Sequence, residues 1–483
     1  MTAANSTRIL DALTSVLGSG PASLSVPGTE EYDESNGSYF SAFENEIKPA
    51  FIAKPATVQQ VQGLVKVLRA HVLEGSVQIA IRGTGHTPFA GSANIQDGVT
   101  IDLRRLKGIT LNEDKSTVEI AVGETWTTVY AELEEHGLTT AGGRVGRVGV
   151  GGFILGGGLS MVSSRRGFAC DSVTEFKVVL ASGELVRANA GEKSDLWTAL
   201  KGGLNNFGIV TSITMTTFAA GDMWGGLTYY PPETFEDLLS NACNFAQKEP
   251  DEDVHIMCSA GYGFGHQAVT CCMWHTQGKV NPPSLQWFTG VQPQIEQMNT
   301  MRTSTHSDFC DELSKFTVDG ARNHWTSLTV RADIDLIKIF RSMWQETLQS
   351  IKDAEGFVFS LGFHPLTRAL LENSRKAGGN AMDISPSDGP LFVVLINPSW
   401  ALPEDDGRIF AAVESLATRL RELASKRGLL HRYIFTNYAH RTDHVMAGYG
   451  KESLDRLRDV SAKYDPEGMF QKGVPGGFKL VRE

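Results

Sequence analysis

The chain has 483 residues, of which 41% are hydrophobic and 20% are charged, and its formal net charge is -11. This length exceeds what one hydrophobic core usually supports, so it predicts two domains. The negative charge argues against nucleic acid or an anionic membrane surface as the main partner. No stretch reaches the ~20 consecutive apolar residues that a membrane span needs. Residues 1–20 lack the apolar h-region of a signal peptide, which favours the cytoplasm and leaves secretion as an open alternative.

Helix and strand patterns mix through the first half of the chain. Apolar residues from Val58 to Val72 recur at helical spacing behind a candidate N-cap, Thr57. Apolar spacing and turn residues also predict the elements that follow. In chain order they predict strands over 77–83, 99–103 and 117–122, a helix over 126–136, a β-hairpin over 173–188 that turns at Ser182-Gly183, a helix over 194–200 capped by Ser194, and a strand over 209–218.

The pattern changes after about Ala220, where glycine becomes less frequent. Residues 220–430 combine apolar strand patterns with a helix over 409–423, which is typical of an antiparallel sheet with helices on one face. The last fifty residues predict a strand over 433–439 and a helix over 452–464. We therefore expect an α+β fold divided into residues 1–219, 220–430 and 431–483.

Two glycine-bearing segments carry the strongest functional signal. Nine glycines lie in the 17 residues from Gly142 to Gly158, and a shorter loop, RGTGHT, begins at Arg82. Such density suits a backbone that passes close to a flat group or aims its N–H groups at phosphates, because glycine otherwise costs packing and entropy. A tight turn without a ligand is the alternative for the shorter loop. Neither segment is a Rossmann fingerprint or a P-loop, since the helix start and the Lys-Ser/Thr pair are missing.

Five polar side chains are candidates for chemistry. His86 is either a nucleophile or covalent anchor for a cofactor, or a capping or solvent-facing histidine, which spacing alone favours. Arg144 and Arg147 can pair with a phosphate or a substrate anion, although surface arginines are the more common case. Tyr438, which follows Asn437 on the predicted strand, is a candidate general base, with a core tyrosine as the favoured alternative.

Other residues give weaker signals. Trp400, His364 and Tyr262 either line a substrate pocket or pack in the core, and we favour the core. The six cysteines lack zinc-ligand spacing and are expected to be reduced and buried. We find no HExxH, CxxC or paired acidic motif and no Ser-His-Asp order at convincing spacing. We therefore expect no metal.

Several motifs, taken in order, resemble one protein family. KPATVQQVQ is followed by RGTGHTPFAG, SANIQDGVTIDL, VGVGGFILGGG, GGLNNFGIVT, TNYAH, KYDPEGMF and VPGGFKL. This order resembles the flavoproteins of the vanillyl-alcohol oxidase type, in the berberine-bridge-enzyme-like branch. The closing motifs look most like fungal members from secondary metabolism. The similarity spans roughly residues 30–215 and 430–480.

The resemblance implies an FAD-binding domain made of the N-terminal and C-terminal segments, with a substrate domain inserted between them. It implies that backbone N–H groups of residues 83–87 hold the pyrophosphate and that His86 is bonded to the 8α-methyl carbon of the flavin. The second glycine segment is expected along the isoalloxazine. The implied cofactor-binding residues are Arg82, Gly83, Thr84, Gly85, His86, Thr87, Gly91, Ser92, Gly142, Gly143, Val148, Gly149, Gly151, Gly152, Gly157, Gly208, Ile209 and Val210.

The chain departs from the family pattern at four positions. Val145 stands where bicovalent relatives have cysteine, and valine cannot form a thioether, so we predict a single covalent link through His86. Phe153 stands where many relatives have histidine, and Thr84 replaces a glycine. His440 replaces an acidic residue that often follows the tyrosine. These changes weaken any mechanism copied from the family.

The resemblance implies an FAD-dependent oxidase that takes a hydride from a small, secondary-metabolite-type substrate and uses dioxygen as acceptor. Tyr438 is the expected base or substrate-orienting hydroxyl, with Asn437 beside it. Small Val148 and Val150 are expected to leave room for dioxygen. The alternatives are a dehydrogenase with another acceptor and a flavin-dependent cyclase or Diels–Alder-type catalyst. A ligand-binding protein is disfavoured, because both loops and the histidine would then have no obvious purpose.

Overall fold

The computed structural model describes residues 2–248 and 251–480 of the chain, which form an α+β fold as predicted. Its apolar side chains form two buried clusters. One draws most of its residues from 9–215 and 433–480, and the other is built from residues 224–424. No helix among the described residues is long and apolar enough to cross a membrane.

The N-terminal half carries three small sheets. A four-stranded sheet has the order β1-β2-β4-β3, and its last three strands are parallel. A five-stranded antiparallel sheet has the order β5-β6-β10-β8-β9, and β11 pairs with β7. The strands are β1 (Leu24–Ser25), β2 (Phe51–Ala53), β3 (Ile79–Arg82), β4 (Val99–Asp102), β5 (Ile109–Leu111), β6 (Thr117–Ala121), β7 (Leu138–Thr139), β8 (Val173–Val179), β9 (Leu185–Asn189), β10 (Ile209–Thr216) and β11 (Phe218–Ala219).

Eight helices accompany these sheets within the described residues. They confirm the helix predicted from the Val58–Val72 spacing, and α4 begins behind Thr57, whose hydroxyl accepts from the Gln60 N–H. The helices are α1 (Ala3–Leu17), α2 (Glu30–Asn36), α3 (Ala42–Asn45), α4 (Val58–Leu73), α5 (Trp126–Glu134), α6 (Val150–Leu155), α7 (Ser163–Arg166) and α8 (Ser194–Leu200).

The middle of the chain forms an antiparallel sheet, as predicted, and this sheet has nine strands. The order is β15-β12-β14-β13-β18-β19-β17-β20, and β16 pairs with β19. The strands are β12 (Met223–Tyr230), β13 (Val254–Gly263), β14 (His266–His275), β15 (Arg302–Ser304), β16 (Arg322–Asn323), β17 (Thr326–Arg331), β18 (Val358–Leu366), β19 (Leu391–Trp400) and β20 (Leu430–His431).

Six helices belong to this region. The buried faces of α9, α12 and α14 join the sheet in the second apolar cluster. The helices are α9 (Phe235–Lys248), α10 (Pro283–Thr289), α11 (His306–Ser314), α12 (Ile334–Ile351), α13 (Arg368–Lys376) and α14 (Asp406–Lys426).

The C-terminal segment returns to the N-terminal half. Its helices are α15 (Val445–Gly448), α16 (Lys451–Tyr464) and α17 (Met469–Lys472). Helix α16 packs on α8 and α17 packs on α4. The apolar residues of this segment therefore belong to the first cluster.

Three local predictions were wrong. Residues 433–439 form no strand: Thr436–Tyr438 is a single 3₁₀ turn, because the segment bonds to the second glycine segment rather than to a sheet edge. That glycine segment contains helix α6 as well as loop. Ser194 is the first helical residue of α8, and the cap position belongs to Lys193, in a left-handed conformation without a side-chain cap bond.

Candidate functional site

A deep cleft lies between the glycine-bearing segments and the nine-stranded sheet. It holds about 1720 Å³ of empty space, including the part that is open to solvent. One wall comes from residues 83–89 after β3 and from residues 143–156 around α6. Residues 435–439, which include the 3₁₀ turn, and Leu395 on β19 also line the cleft, as do residues 208–210 at the start of β10. The cavity is therefore bordered mainly by the N-terminal half of the chain and its C-terminal segment, with Leu395 of the nine-stranded sheet on the opposite side.

Most of the predicted cofactor-binding residues line this cleft. The loop after β3 brings its backbone there because β3 ends at Arg82 and the chain bends directly afterwards. The lining residues that were predicted are Gly83, Thr84, Gly85, His86, Thr87, Ser92, Gly143, Val148, Gly149, Gly151, Gly152, Gly208, Ile209, Val210, Asn437 and Tyr438.

Arg82 and Gly91 do not line the cleft. The Arg82 guanidinium is fully buried and donates to the backbone oxygens of Ser35 and Ser38, both at 2.7 Å. The Gly91 N–H donates to the Glu44 carboxylate at 3.0 Å. Both residues support the cleft wall from behind.

Gly142 and Gly157 also lie off the cleft, and packing explains why they are glycines. A Cβ on Gly142 would lie 2.2 Å from the Trp126 ring, and one on Gly157 would lie 2.7 Å from the sulfur of Met382. Part of the glycine density in this segment therefore reflects close packing against protein atoms rather than contact with a ligand.

Two other glycines face empty space. A Cβ built on Gly83 or on Gly152 would meet no atom within 4 Å among the described residues, although both line the cleft. No acceptor within the described chain is recorded for the backbone N–H groups of residues 84–87. Open glycines and free N–H groups on one wall suit the flat ring and the phosphates of a dinucleotide.

His86 lies in the same loop and its ring stacks on Phe40, with centroids 4.3 Å apart. Burial and, to a smaller extent, the charge of Arg147 lower the pKa of His86 to about 4. The imidazole is therefore neutral near pH 7 and has a free nitrogen lone pair. A neutral imidazole in the cleft wall is chemically able to form a covalent bond with a cofactor.

Asn437 and Tyr438 both reach the cleft but differ in their bonding. The Asn437 amide donates to the Phe153 carbonyl and accepts from the Gly158 N–H, each at 3.1 Å. The Tyr438 hydroxyl accepts from Arg144 Nη2 at 2.6 Å. Its own proton is therefore free to be donated into the cleft.

Arg144 is buried, contrary to the expectation of a surface arginine, with only 7% of its surface exposed. Its Nη1 lies 3.2 Å from His255 Nε2 and 3.3 Å from His364 Nδ1, and it donates to the sulfur of Met257. Burial, followed by the charge of Arg144, lowers the pKa of both histidines well below the ordinary value. The sequence pointed to Arg144 only through its place in the glycine segment, and it contained no motif that pointed to His255.

The remaining candidates have structural surroundings. Arg147 is exposed and pairs with Asp319. Trp400 is buried in the second apolar cluster and Tyr262 packs against that cluster, as favoured from the sequence. The six cysteines are free, and Val150 is buried without lining the cleft.

The expectation of no metal stays a prediction. Within the described residues, two groups each place three possible ligand atoms within 4.8 Å of one another. They are His324, Glu414 and His440, and Asp251, Asp253 and His275.

Comparison with known proteins identifies the family. Residues 49–189 match the family described as FAD binding domain. An FAD-dependent monooxygenase of Cochliobolus heterostrophus is 34% identical over 457 residues, which is 92% of this chain and 87% of that protein. The chain belongs to the vanillyl-alcohol-oxidase-type family of FAD-linked oxidoreductases. As a member it is an FAD-binding enzyme, so the resemblance stated from its motifs is confirmed.

Solved structures of low sequence identity share the fold. Chitooligosaccharide oxidase superposes with a TM-score of 0.77 at 21% identity, over 98% of this chain and 99% of its own. A grass pollen allergen with glucose dehydrogenase activity gives 0.77 at 18% identity, over 98% and 100%. A variant of that allergen with valine in place of one isoleucine is a glucose oxidase, and its TM-score is 0.76 at 17% identity, over 98% and 100%.

Proposed function

We propose that this family member is an oxidase: it removes two electrons and two protons from a small secondary-metabolite-type substrate and reduces dioxygen to hydrogen peroxide. The observation that carries the proposal is the cleft itself. One wall offers glycine backbone and neutral His86, while Tyr438 and Arg144 present polar groups to the same space. Bound FAD supplies the hydride acceptor at this site.

In this proposal, residues 1–219 and 431–483 hold FAD, and residues 220–430 complete the substrate side. The backbone N–H groups of residues 84–87 receive the pyrophosphate, and open Gly83 and Gly152 let backbone approach the cofactor. His86 forms the single covalent link. Val145 lines the same cleft and provides no second attachment, since its side chain has no nucleophile.

Tyr438 is proposed to orient the substrate through a hydrogen bond that its hydroxyl donates to the reacting group. Its oxygen lies at the cleft, and Arg144 donates to it, so the guanidinium holds the phenol in position. Asn437 has both amide atoms engaged with backbone, which favours a positioning role for it. The aromatic side chains of Trp325 and Phe435 restrict water near Tyr438.

The covalent link is tested by acid precipitation of the purified holoenzyme. We expect yellow colour in the pellet, because a bonded flavin cannot be washed away from denatured protein. His86→Ala should instead release its flavin into the supernatant. A wild-type supernatant that carries the flavin would reject the link and keep the FAD site.

Dioxygen as acceptor is supported by Val148, which is half-buried and lines the cleft. In the pollen allergen, a change from isoleucine to valine accompanies the change from dehydrogenase to oxidase. We predict that Val148→Ile slows the reoxidation of photoreduced enzyme by air without changing the oxidised flavin spectrum. Val145→Ile, another enlargement on the cleft wall, is the control. Equal reoxidation rates for wild type and Val148→Ile would contradict the role of Val148.

Monooxygenation is the second candidate function, because the most similar relatives carry the name FAD-dependent monooxygenase. Turnover under ¹⁸O₂ separates the two. An oxidase gives one peroxide per product and no ¹⁸O in the product, whereas a monooxygenase adds one ¹⁸O atom. A product with the mass of the substrate and no peroxide would instead indicate a cyclase.

A further inference from the structure

Arg144 is a buried cation without an anionic partner. Three arginines are buried in the described part of the chain, and the other two, Arg82 and Arg322, pair with carboxylates. Arg144 has no carboxylate within ion-pair distance among these residues, and its recorded partners are two histidines, a tyrosine and a methionine. An uncompensated buried charge is costly, so its presence at the cleft needs an explanation.

The neighbours of Arg144 do not supply the missing negative charge. His255 and His364 are neutral, because burial and the guanidinium hold their pKa values low. The nearby thiols of Cys272 and Cys310 have pKa values raised by burial, so they are neutral as well. These groups orient the guanidinium and leave its full positive charge facing the cleft.

The hydrogen bonds of Arg144 also leave donors over. A guanidinium has five N–H groups, two on each Nη and one on Nε. The recorded acceptors engage Nη1 and one position on Nη2, and no acceptor is recorded for Nε within the described chain. The Nε–H and the second Nη2–H are thus available, and such a pair suits the two oxygens of a carboxylate.

We propose that Arg144 binds a carboxylate on the substrate, and that the enzyme therefore acts on aromatic carboxylic acids. The aromatic part of the ligand is assigned to the surface of Trp325, Phe435 and Leu395, which line the same cleft. Tyr438 then lies beside the bound acid, 2.6 Å from the Arg144 Nη2. The identification of the ligand as substrate rests on the proposed oxidase function.

The test compares 2-naphthoate with its neutral isostere 2-naphthamide, each titrated into FAD-loaded enzyme and followed by calorimetry and flavin absorbance. We expect wild type to bind naphthoate at least about tenfold more tightly, the preference expected for charge-assisted hydrogen bonds. Arg144→Gln should weaken naphthoate binding by about ten- to a hundredfold and abolish the preference. Arg144→Lys keeps the positive charge but lacks the planar pair of N–H donors, so it should retain part of the preference for naphthoate.

Arg147→Gln is the matched control, because Arg147 lies three residues away, is exposed and already pairs with Asp319. It should bind naphthoate like wild type. Equal affinity of wild type for the two probes, or no binding of naphthoate, would overturn the proposal without any variant. If Arg144→Gln alters the flavin spectrum or flavin retention before a probe is added, the guanidinium serves the flavin and the proposal is wrong. Probe binding needs no turnover, so a preference for naphthoate without peroxide formation from any substrate would reject only the oxidase function.

Discussion

Asn437 and Tyr438 are neighbours in one turn, but their side chains have different partners. Asn437 joins the turn to the second glycine segment through two backbone bonds, so its amide is not available to a substrate. Tyr438 contacts the ring edges of Phe435 and Trp325 and keeps its hydroxyl at the cleft. At the residue scale, this difference supports a structural role for Asn437 and is consistent with the chemical role proposed for Tyr438.

Asn437→Ala should lower the unfolding free energy by roughly 1–3 kcal/mol, because a buried N–H and a carbonyl lose their partners. Thermal unfolding of the holoenzyme measures this change. Asn437→Asp should be nearly as harmful, since a carboxylate cannot donate to the Phe153 carbonyl. A catalytic Asn437 would instead show unchanged stability with slower flavin reduction.

Tyr438→Phe should slow flavin reduction by the accepted substrate by roughly 10²-fold, as expected when a hydrogen bond that orients the reacting group is lost. The phenyl ring keeps the contacts with its aromatic neighbours, so FAD content should not change. Single-turnover absorbance under anaerobic conditions measures the rate. A reduction rate within a factor of two or so of wild type would contradict the role.

The sequence identified Tyr438, His86 and Arg144 as candidates, but it favoured an inert environment for each. Burial decides the role of such residues, and it depends on contacts far away in the chain. Arg144 meets His255 and His364, which lie 111 and 220 residues downstream. No local pattern encodes these distances, so the neutral surroundings of the guanidinium could not be predicted.

At the element scale, the loop after β3 uses its two glycines differently. Gly85 has φ +82°, and a Cβ there would lie 2.6 Å from the Tyr39 ring. Gly83 has an ordinary conformation, and its Cβ would point into open space. Gly85 therefore shapes the loop, whereas Gly83 leaves room above it.

Gly83→Ala and Gly85→Ala form a matched pair. Gly83→Ala should leave apoprotein stability unchanged but reduce FAD occupancy, because the added methyl takes space meant for the cofactor. Gly85→Ala should destabilise the apoprotein by roughly 1–2 kcal/mol or more through backbone strain. Melting temperature and the flavin-to-protein absorbance ratio separate the effects. Full FAD occupancy in Gly83→Ala would contradict the assignment of this glycine to the cofactor.

Periodicity predicted the long elements well, but it failed for a short segment that is held by hydrogen bonds to distant residues. Helix α4 and the β8–β9 hairpin follow from spacing and turn residues within one segment. The segment over 433–439 has the apolar and aromatic composition of a strand. It becomes a turn because Asn437 bonds to backbone groups 284 and 279 residues upstream, at positions 153 and 158.

At the scale of the whole molecule, burial keeps many histidines neutral. Seven of the 12 histidines have pKa values lowered by burial, and for His86, His306 and His440 the value is about 4. The unfolded chain titrates near 6.5, so it binds more protons than the folded chain between about pH 6.5 and 4. Above pH 6.5 these histidines do not change the free energy of unfolding, and as the pH falls through this window they lower it progressively.

His324 offers a direct test of this pH dependence. Its pKa is lowered to about 3, and neither ring nitrogen has a hydrogen-bond partner among the described residues. His324→Phe keeps a ring beside Phe410 and His440 and removes a group that must protonate in the unfolded chain. At pH 5, protonation of one such histidine in the unfolded chain lowers the free energy of unfolding by roughly 2 kcal/mol. The variant should therefore lose about that much less stability than wild type between pH 7 and 5, as measured by urea unfolding.

His266→Phe, at an exposed position, should follow the wild-type profile. If His324 stays neutral in the folded chain, its removal must change the number of protons taken up on unfolding. Parallel stability profiles for His324→Phe and wild type would therefore contradict the prediction.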